Sequence, residues 1–168
     1  MINVAMWGKA LRVIPRISRE EWNHLDIISR WLIASRSAVF VMTALSAGIG
    51  GLLAFRAGSF SPFMFLLALT GLVLAHATNN LINDYVDYRK GIDHNNYYRA
   101  QYGPQALEHG LLSARQFLTY ILVSGILATA IGLYLVINSG FPALVIMLAG
   151  LFFLSFYTWP LRSPCSSA

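Results

Sequence analysis

Polar and apolar positions are segregated along this chain. Ser37 to Phe55, Ala57 to Asn83 and Gln116 to Leu161 each contain no Asp, Glu, Lys or Arg. A helix crossing the hydrocarbon layer takes about 20 residues. The third run is interrupted by Asn138, Ser139, Gly140 and Pro142, a turn signal that divides it in two. The pattern therefore predicts four spans, roughly 37–55, 60–82, 116–137 and 141–160. Helices suit these lengths because a backbone in lipid must satisfy its own hydrogen bonds. The expected fold is all-α, an integral membrane helical bundle of about four transmembrane helices. Between the second and third spans a long loop, 84–115, holds most of the chemically distinctive residues, and long ordered loops are commonly functional.

Composition supports a lipid-covered surface: 57% of residues are hydrophobic and 11% charged, too little charge to coat a soluble globule. The net charge of +5 raises nucleic acid as a partner, but the placement of the charges argues against it. Lys9, Arg12, Arg16, Arg19, Arg30 and Arg36 precede the first span, and Arg89, Lys90, Arg99 and Arg115 lie between the second and third. Only Arg56 follows the first span, and Arg162 the fourth. The positive-inside rule puts both termini and the 84–115 loop in the cytoplasm of a multi-pass cell-membrane protein. Residues 1–30 are broken by charges and lack a signal peptide's continuous apolar core, so a cytoplasmic or interfacial segment is expected there, with Trp22 and Trp31 at the headgroup boundary. The single Cys165 permits neither an internal disulfide nor a thiolate cluster. Small residues recur every fourth position in the first span (Ala44, Gly48; Ala47, Gly51) and the third (Ser124, Ala128, Gly132), which lets helix backbones approach closely.

Chemistry is concentrated where the second span ends. If its helix continues, Asn80, Asn83, Asp84 and Asp87 fall at i, i+3, i+4 and i+7 and share one face. Two carboxylates and two amides there form a set of hard oxygen donors, the kind Mg²⁺ prefers and shares with substrate phosphate. Gly91 can end the helix and turn Asp93 back toward the same place, and Arg89 and Lys90 can meet phosphate charge. Carboxylates at a helix end commonly do no more than hold water. An Asp at mid-span costs about 2.5 to 3.5 kcal/mol to insert, and these, nearer the end, cost less. The amides beginning inside an apolar span still need partners, which favours a site over a solvated face.

At these residues the chain resembles the UbiA superfamily of intramembrane aromatic prenyltransferases, whose first Asp-rich motif, Asn-x-x-x-Asp, follows the second transmembrane helix; Asn83 and Asp87 fit that form. The longer string Asn-Asp-Tyr-x-Asp-x-x-x-Gly-x-Asp is most similar to the branch that prenylates 1,4-dihydroxy-2-naphthoate for menaquinone. Weaker similarity continues through Gly103 to Leu107, Gly110 to Ser113, and Tyr157 to Leu161. The resemblance covers residues 31–162, leaving 163–168 as a tail. It implies that Mg²⁺ and basic side chains hold a prenyl diphosphate, and that an aromatic acceptor attacks the allylic cation left as diphosphate departs. Asn83, Asp84, Asp87 and Asp93 would serve the metal, Asp84 and Asp87 being catalytic, while Asn80, Asn83, Arg89 and Lys90 would bind substrate. The family fold carries a second Asp-rich motif in its other half, and the last acidic residue here is Glu108. The expectation is an N-terminal half, inactive alone, whose C-terminal half is missing. At the first span, where relatives often have Arg-Pro, this chain has Arg36-Ser37.

Two other readings stand beside the enzyme. A non-catalytic four-helix membrane subunit or inactive paralogue would keep the motif for assembly. A small cation transporter would want carboxylates near the membrane midplane, and these spans have none. His76, one turn before Asn80, serves either the acceptor's proton loss or packing, and His94 either phosphate or solvent. Tyr85, Tyr88, Tyr97, Tyr98 and Tyr102 either face a cation or anchor the interface. Ser113 is expected to cap the third span's helix.

Overall fold

Capping residues at the edges of the apolar runs fix where the helices start. The computed structural model describes residues 2–91 and 105–158, apart from the side chains of Ser155, Tyr157 and Thr158. The expectations for Asp93, His94, Tyr97, Tyr98, Tyr102 and the 163–168 tail lie outside those residues. Helices α1 (Val4–Arg12), α2 (Arg19–His24) and α3 (Ile27–Ala34) precede a 3-10 turn, Ser37–Val39, followed by α4 (Phe40–Arg56), α5 (Pro62–Arg89), α6 (Ala114–Ser139) and α7 (Phe141–Thr158). Pro62 sits in the first turn of α5, where its missing N–H costs nothing, and Ser61 supplies the cap. Ser113 and Gln116 form a reciprocal capping box on α6, as expected of Ser113. Gly140, at φ +75°, separates α6 from α7 at the turn that divides the third apolar run.

Three segments are long and apolar enough to cross a membrane: Ser37–Arg56, Pro62–Arg89 and Ala114–Ser139. The fourth expected span is helical, but the apolar stretch recognised within it, Phe141–Leu154, is shorter than the other three. Helix α5 is central, packing most extensively on α6 and also on α4 and α7. A Cβ added at Gly71 would lie 2.9 Å from Cγ2 of Ile131, so the α5–α6 crossing requires a glycine there. Of the small residues noted in sequence, Gly51 faces the Phe65 ring and Gly132 faces Met147, whereas Gly48 meets nothing. Outward-facing side chains remain uncovered, Ile126 at 65% and Ile137 at 82% exposure among them. A surface of that kind calls for lipid or further helices.

The core lies at one end of the bundle. Trp22, Leu25, Leu32 and Ile33 from the N-terminal helices cluster with Leu81 of α5, with Ala106, Leu107 and Leu112, and with Phe117 of α6. Residues 2–30 are thus a helical collar folded onto the spans. The two tryptophans expected at the headgroup boundary face protein: Trp22 is buried, and partly buried Trp31 donates its indole N–H to Ser124 Oγ at 2.8 Å. Sequence spacing does not reveal such burial, because an amphipathic surface helix and a collar helix share one pattern.

Asp26 ties the collar together. Its carboxylate caps α3 through the Ile28 and Ser29 N–H groups, both at 3.0 Å, and accepts Ser29 Oγ–H at 2.6 Å. It also reaches α1 through the Trp7 indole at 3.1 Å and the Asn3 N–H at 3.2 Å. Partial burial pushes its pKa up, but the bonds from Ser29, Trp7 and Asn3 together outweigh that and hold it well below the ordinary value of 3.8. The sign follows: stability from Asp26 is fully present above that ordinary value and is lost as pH falls through the lowered folded one. Hydrogen exchange of residues 3–12 is therefore expected to stay slow down to about pH 4. In Asp26→Ala it should be fast at neutral pH.

Candidate functional site

Helix α5 does not stop where the apolar run ends. It runs through the whole acidic string to Arg89, with Lys90 as its C-cap and Gly91 at φ +68° ending it. The left-handed conformation at Gly91 is one that side-chain-bearing residues avoid, as expected of the helix breaker. The loop anticipated from residue 84 therefore begins at Lys90. Asn80, Asn83, Asp84 and Asp87 accordingly share one helical face.

Asp87 is fully buried. Asp84 is 15% exposed and forms an ion pair with Arg36, which is 32% exposed. Arg36 adopts the left-handed conformation, φ +57° and ψ +50°, between α3 and the 3-10 turn. A non-glycine residue pays for that geometry. Two contacts from α5 hold it: the Asp84 carboxylate on the guanidinium, and the Asn80 amide, whose Nδ2 donates to Ser35 O at 2.9 Å. Asn80, expected to bind substrate, is thus engaged with the chain entering the first span. Arg36 joins the site unannounced; its signal was a cation at the membrane edge of the first span, where relatives often have Arg-Pro.

Oδ1 of Asn79 and Oδ1 of Asn83 are buried and accept no hydrogen bond among the described residues. Buried amide oxygens ordinarily have partners, so these two acceptors have lone pairs that a cation or a hydrogen-bond donor can use. Arg89 and Lys90 are exposed at the helix end. Two residues past Asp87 the helix has turned about 200°, which carries Arg89 away from the acidic face, whereas Lys90, three past it, stays near.

One turn deeper, His76 Nδ1 lies 2.7 Å from Thr43 Oγ1 and its ring is 5.4 Å from that of Phe40. His76 borders an open groove of about 800 Å³, lined also by Thr43, Ser46, Leu72, Asn79 and Phe153. Of its two anticipated roles, hydrogen-bonded packing describes these contacts.

Among the described residues no three of His, Cys, Asp and Glu converge as a ready-made metal cage. Mg²⁺ does not need one, since it commonly takes one or two carboxylates and completes its shell with water and substrate phosphate. Asp84, Asp87 and the unsatisfied Asn83 and Asn79 oxygens are hard donors of that kind, so the residues present fit the ion.

Long apolar helices around a carboxylate–amide face at one span's end define a multi-pass membrane protein with a candidate cation–phosphate site. The chain belongs to the UbiA prenyltransferase family, whose model matches residues 40–165. It is 33% identical over 92 residues to UbiA prenyltransferase domain-containing protein 1 of Danio rerio, covering 52% of this chain and 27% of that protein. Against the protein of the same description from Mus musculus it is 30% identical over 80 residues, 47% of this chain and 23% of the relative. The chain thus spans about a quarter of the length of these curated relatives. No solved structure matches it.

Proposed function

We propose that this chain supplies the first diphosphate-binding half-site for transfer of a polyprenyl group to an aromatic acceptor, 1,4-dihydroxy-2-naphthoate in menaquinone synthesis. Family membership supports prenyl transfer in general. The naphthoate branch rests on the string from Asn83 to Asp93. The observation that carries the site is the continuous α5 helix, which sets Asn83, Asp84 and fully buried Asp87 on one face.

In transfer, the bond between the allylic carbon and the diphosphate oxygen breaks, and its electron pair leaves with diphosphate. A carbon of the acceptor ring forms the new C–C bond and the ring then sheds a proton or its carboxyl group as CO₂. Asp84 and Asp87, with Asn83 and Asp93, would hold Mg²⁺, which supplies Lewis-acid neutralisation of the departing charge. Lys90 lies at the end of that face, and Arg36, released from Asp84, can turn to the diphosphate as a forked donor. The basic residues flanking the first and third spans support a cytoplasmic position for this site. Acidic residues in this sequence end at Glu108, so a second carboxylate set must come from outside these 168 residues, and the chain alone is not expected to turn over. A non-catalytic subunit is the competing reading, favoured by the Arg36–Asp84 pair that already neutralises one carboxylate.

Equilibrium binding separates the two. The purified chain in nanodiscs is expected to retain radiolabelled prenyl diphosphate weakly and only with Mg²⁺. Equal retention in excess EDTA would overturn the half-site.

A further inference from the structure

Helix α1 carries more apolar surface than the collar covers. Met6, Trp7 and Ala10 turn inward to the core, while Ile2, Val4, Leu11 and Val13 stand 75%, 66%, 49% and 51% exposed. On a helical projection Val4 and Leu11 are neighbours, and Arg12 and Lys9 lie on the side away from the core. Arg16 and Arg19 follow, and all four cations are exposed.

The depth of this helix is fixed by its attachments. Ser37 Oγ donates to Ala10 O at 2.9 Å, and Ser37 opens the first segment long and apolar enough to cross a membrane. The α1 backbone therefore lies against the residue where the first apolar span begins, with Asp26 fixing its other end. A helix at that level, with apolar residues beside a row of cations, presents the two chemistries of a charged leaflet, acyl chain and headgroup phosphate.

The remaining charges nearby do not cancel the row. Asp26 is consumed by its hydrogen bonds, Arg30 by the carbonyls of Trp22 and Asn23, and Arg36 by Asp84. Glu20 and Glu21 begin α2, leaving the four exposed cations against two carboxylates.

We infer that α1 is an anionic-lipid-binding helix: it lies in the interface with Val4 and Leu11 in the acyl boundary and Lys9, Arg12, Arg16 and Arg19 on lipid phosphates. Because the bilayer is continuous with the first span, no other partner needs to be recruited to cover this face. The inference does not rest on prenyl transfer, since its readout is lipid contact. Each basic residue near an anionic surface is expected to contribute roughly fivefold to partitioning.

The test uses the full chain with Cys165→Ser and a nitroxide at Leu11→Cys, in nanodiscs of phosphatidylcholine alone or mixed with phosphatidylglycerol. Collision accessibility is expected to place the label at acyl depth in the mixed discs and nearer water in phosphatidylcholine. Lys9→Glu with Arg12→Glu should return it toward water in the mixed discs, with a population change of roughly 25-fold or more. A control nitroxide at Leu72→Cys in α5 should read hydrocarbon throughout, showing that insertion is intact. Equal aqueous accessibility at position 11 in both lipids would overturn the proposal. So would acyl depth that ignores phosphatidylglycerol and the charge reversals, or nitroxide–nitroxide broadening in place of lipid contact, which would mark a second copy of the chain as the occupant.

Discussion

Asp87→Asn is expected to abolish Mg²⁺-dependent retention of prenyl diphosphate while leaving the protein inserted and helical. Asn keeps the side chain's size and one acceptor oxygen but removes the charge. The buried setting makes that charge effective, because a fully enclosed carboxylate interacts with a cation through a lower effective dielectric than water. In membranes where a co-expressed C-terminal fragment of a relative supplies the second acidic set, transfer should fall by roughly 10²- to 10³-fold, the usual consequence of removing one preorganised group that stabilises transition-state charge. Radiolabelled prenyl transfer in a host lacking its own enzyme measures this. Undiminished transfer by Asp87→Asn would remove Asp87 from the catalytic set.

The second large effect is at Arg36, where backbone and charge can be separated. Arg36→Ala deletes the guanidinium facing Asp84 and leaves a left-handed residue with a Cβ, so a loss of about 2 kcal/mol is expected, between the values for exposed and buried pairs. Arg36→Gly deletes the same ion pair but relieves the left-handed strain, recovering about 0.5 to 1 kcal/mol. Glycine should therefore melt higher than alanine here, the reverse of the order in a helix interior. Both variants should bind Mn²⁺ more tightly than the parent, since the guanidinium no longer competes for Asp84, and prenyl diphosphate no better. If alanine and glycine melt together, the left-handed turn is not strained. If Mn²⁺ affinity is unchanged, Arg36 and metal do not share Asp84.

The spans and the motif helix were legible in sequence because both rest on local spacing: uncharged runs of bilayer length, and Asn80, Asn83, Asp84 and Asp87 at helical intervals. The Ser113 cap and the break at Gly91 were legible for the same reason. What escaped was set by contacts distant in sequence. Arg36 reaches Asp84 across 48 positions and Asn80 reaches Ser35 across 45, and nothing in the spacing around either residue records its partner. Trp22 and Trp31 look like interfacial anchors until the 105–112 segment and α6 are brought against the collar. The helix continues to Arg89 itself, which sets the start of that side chain about 200° round from Asp87.

The position of the core has a consequence for biogenesis. Trp31 bonds Ser124, 93 positions later, and the collar's other inward side chains pack on Phe117. During translation at about 5–20 residues per second, α1 to α3 leave the ribosome roughly 5 to 20 seconds before the surface they cover exists. Throughout that interval Trp22 and Ile33 lack the part of their cover that Ala106, Leu107, Leu112 and Phe117 supply. The nascent collar is thus completed only after the third span is made, and slowing elongation between residues 31 and 124 lengthens the period in which it is only partly covered.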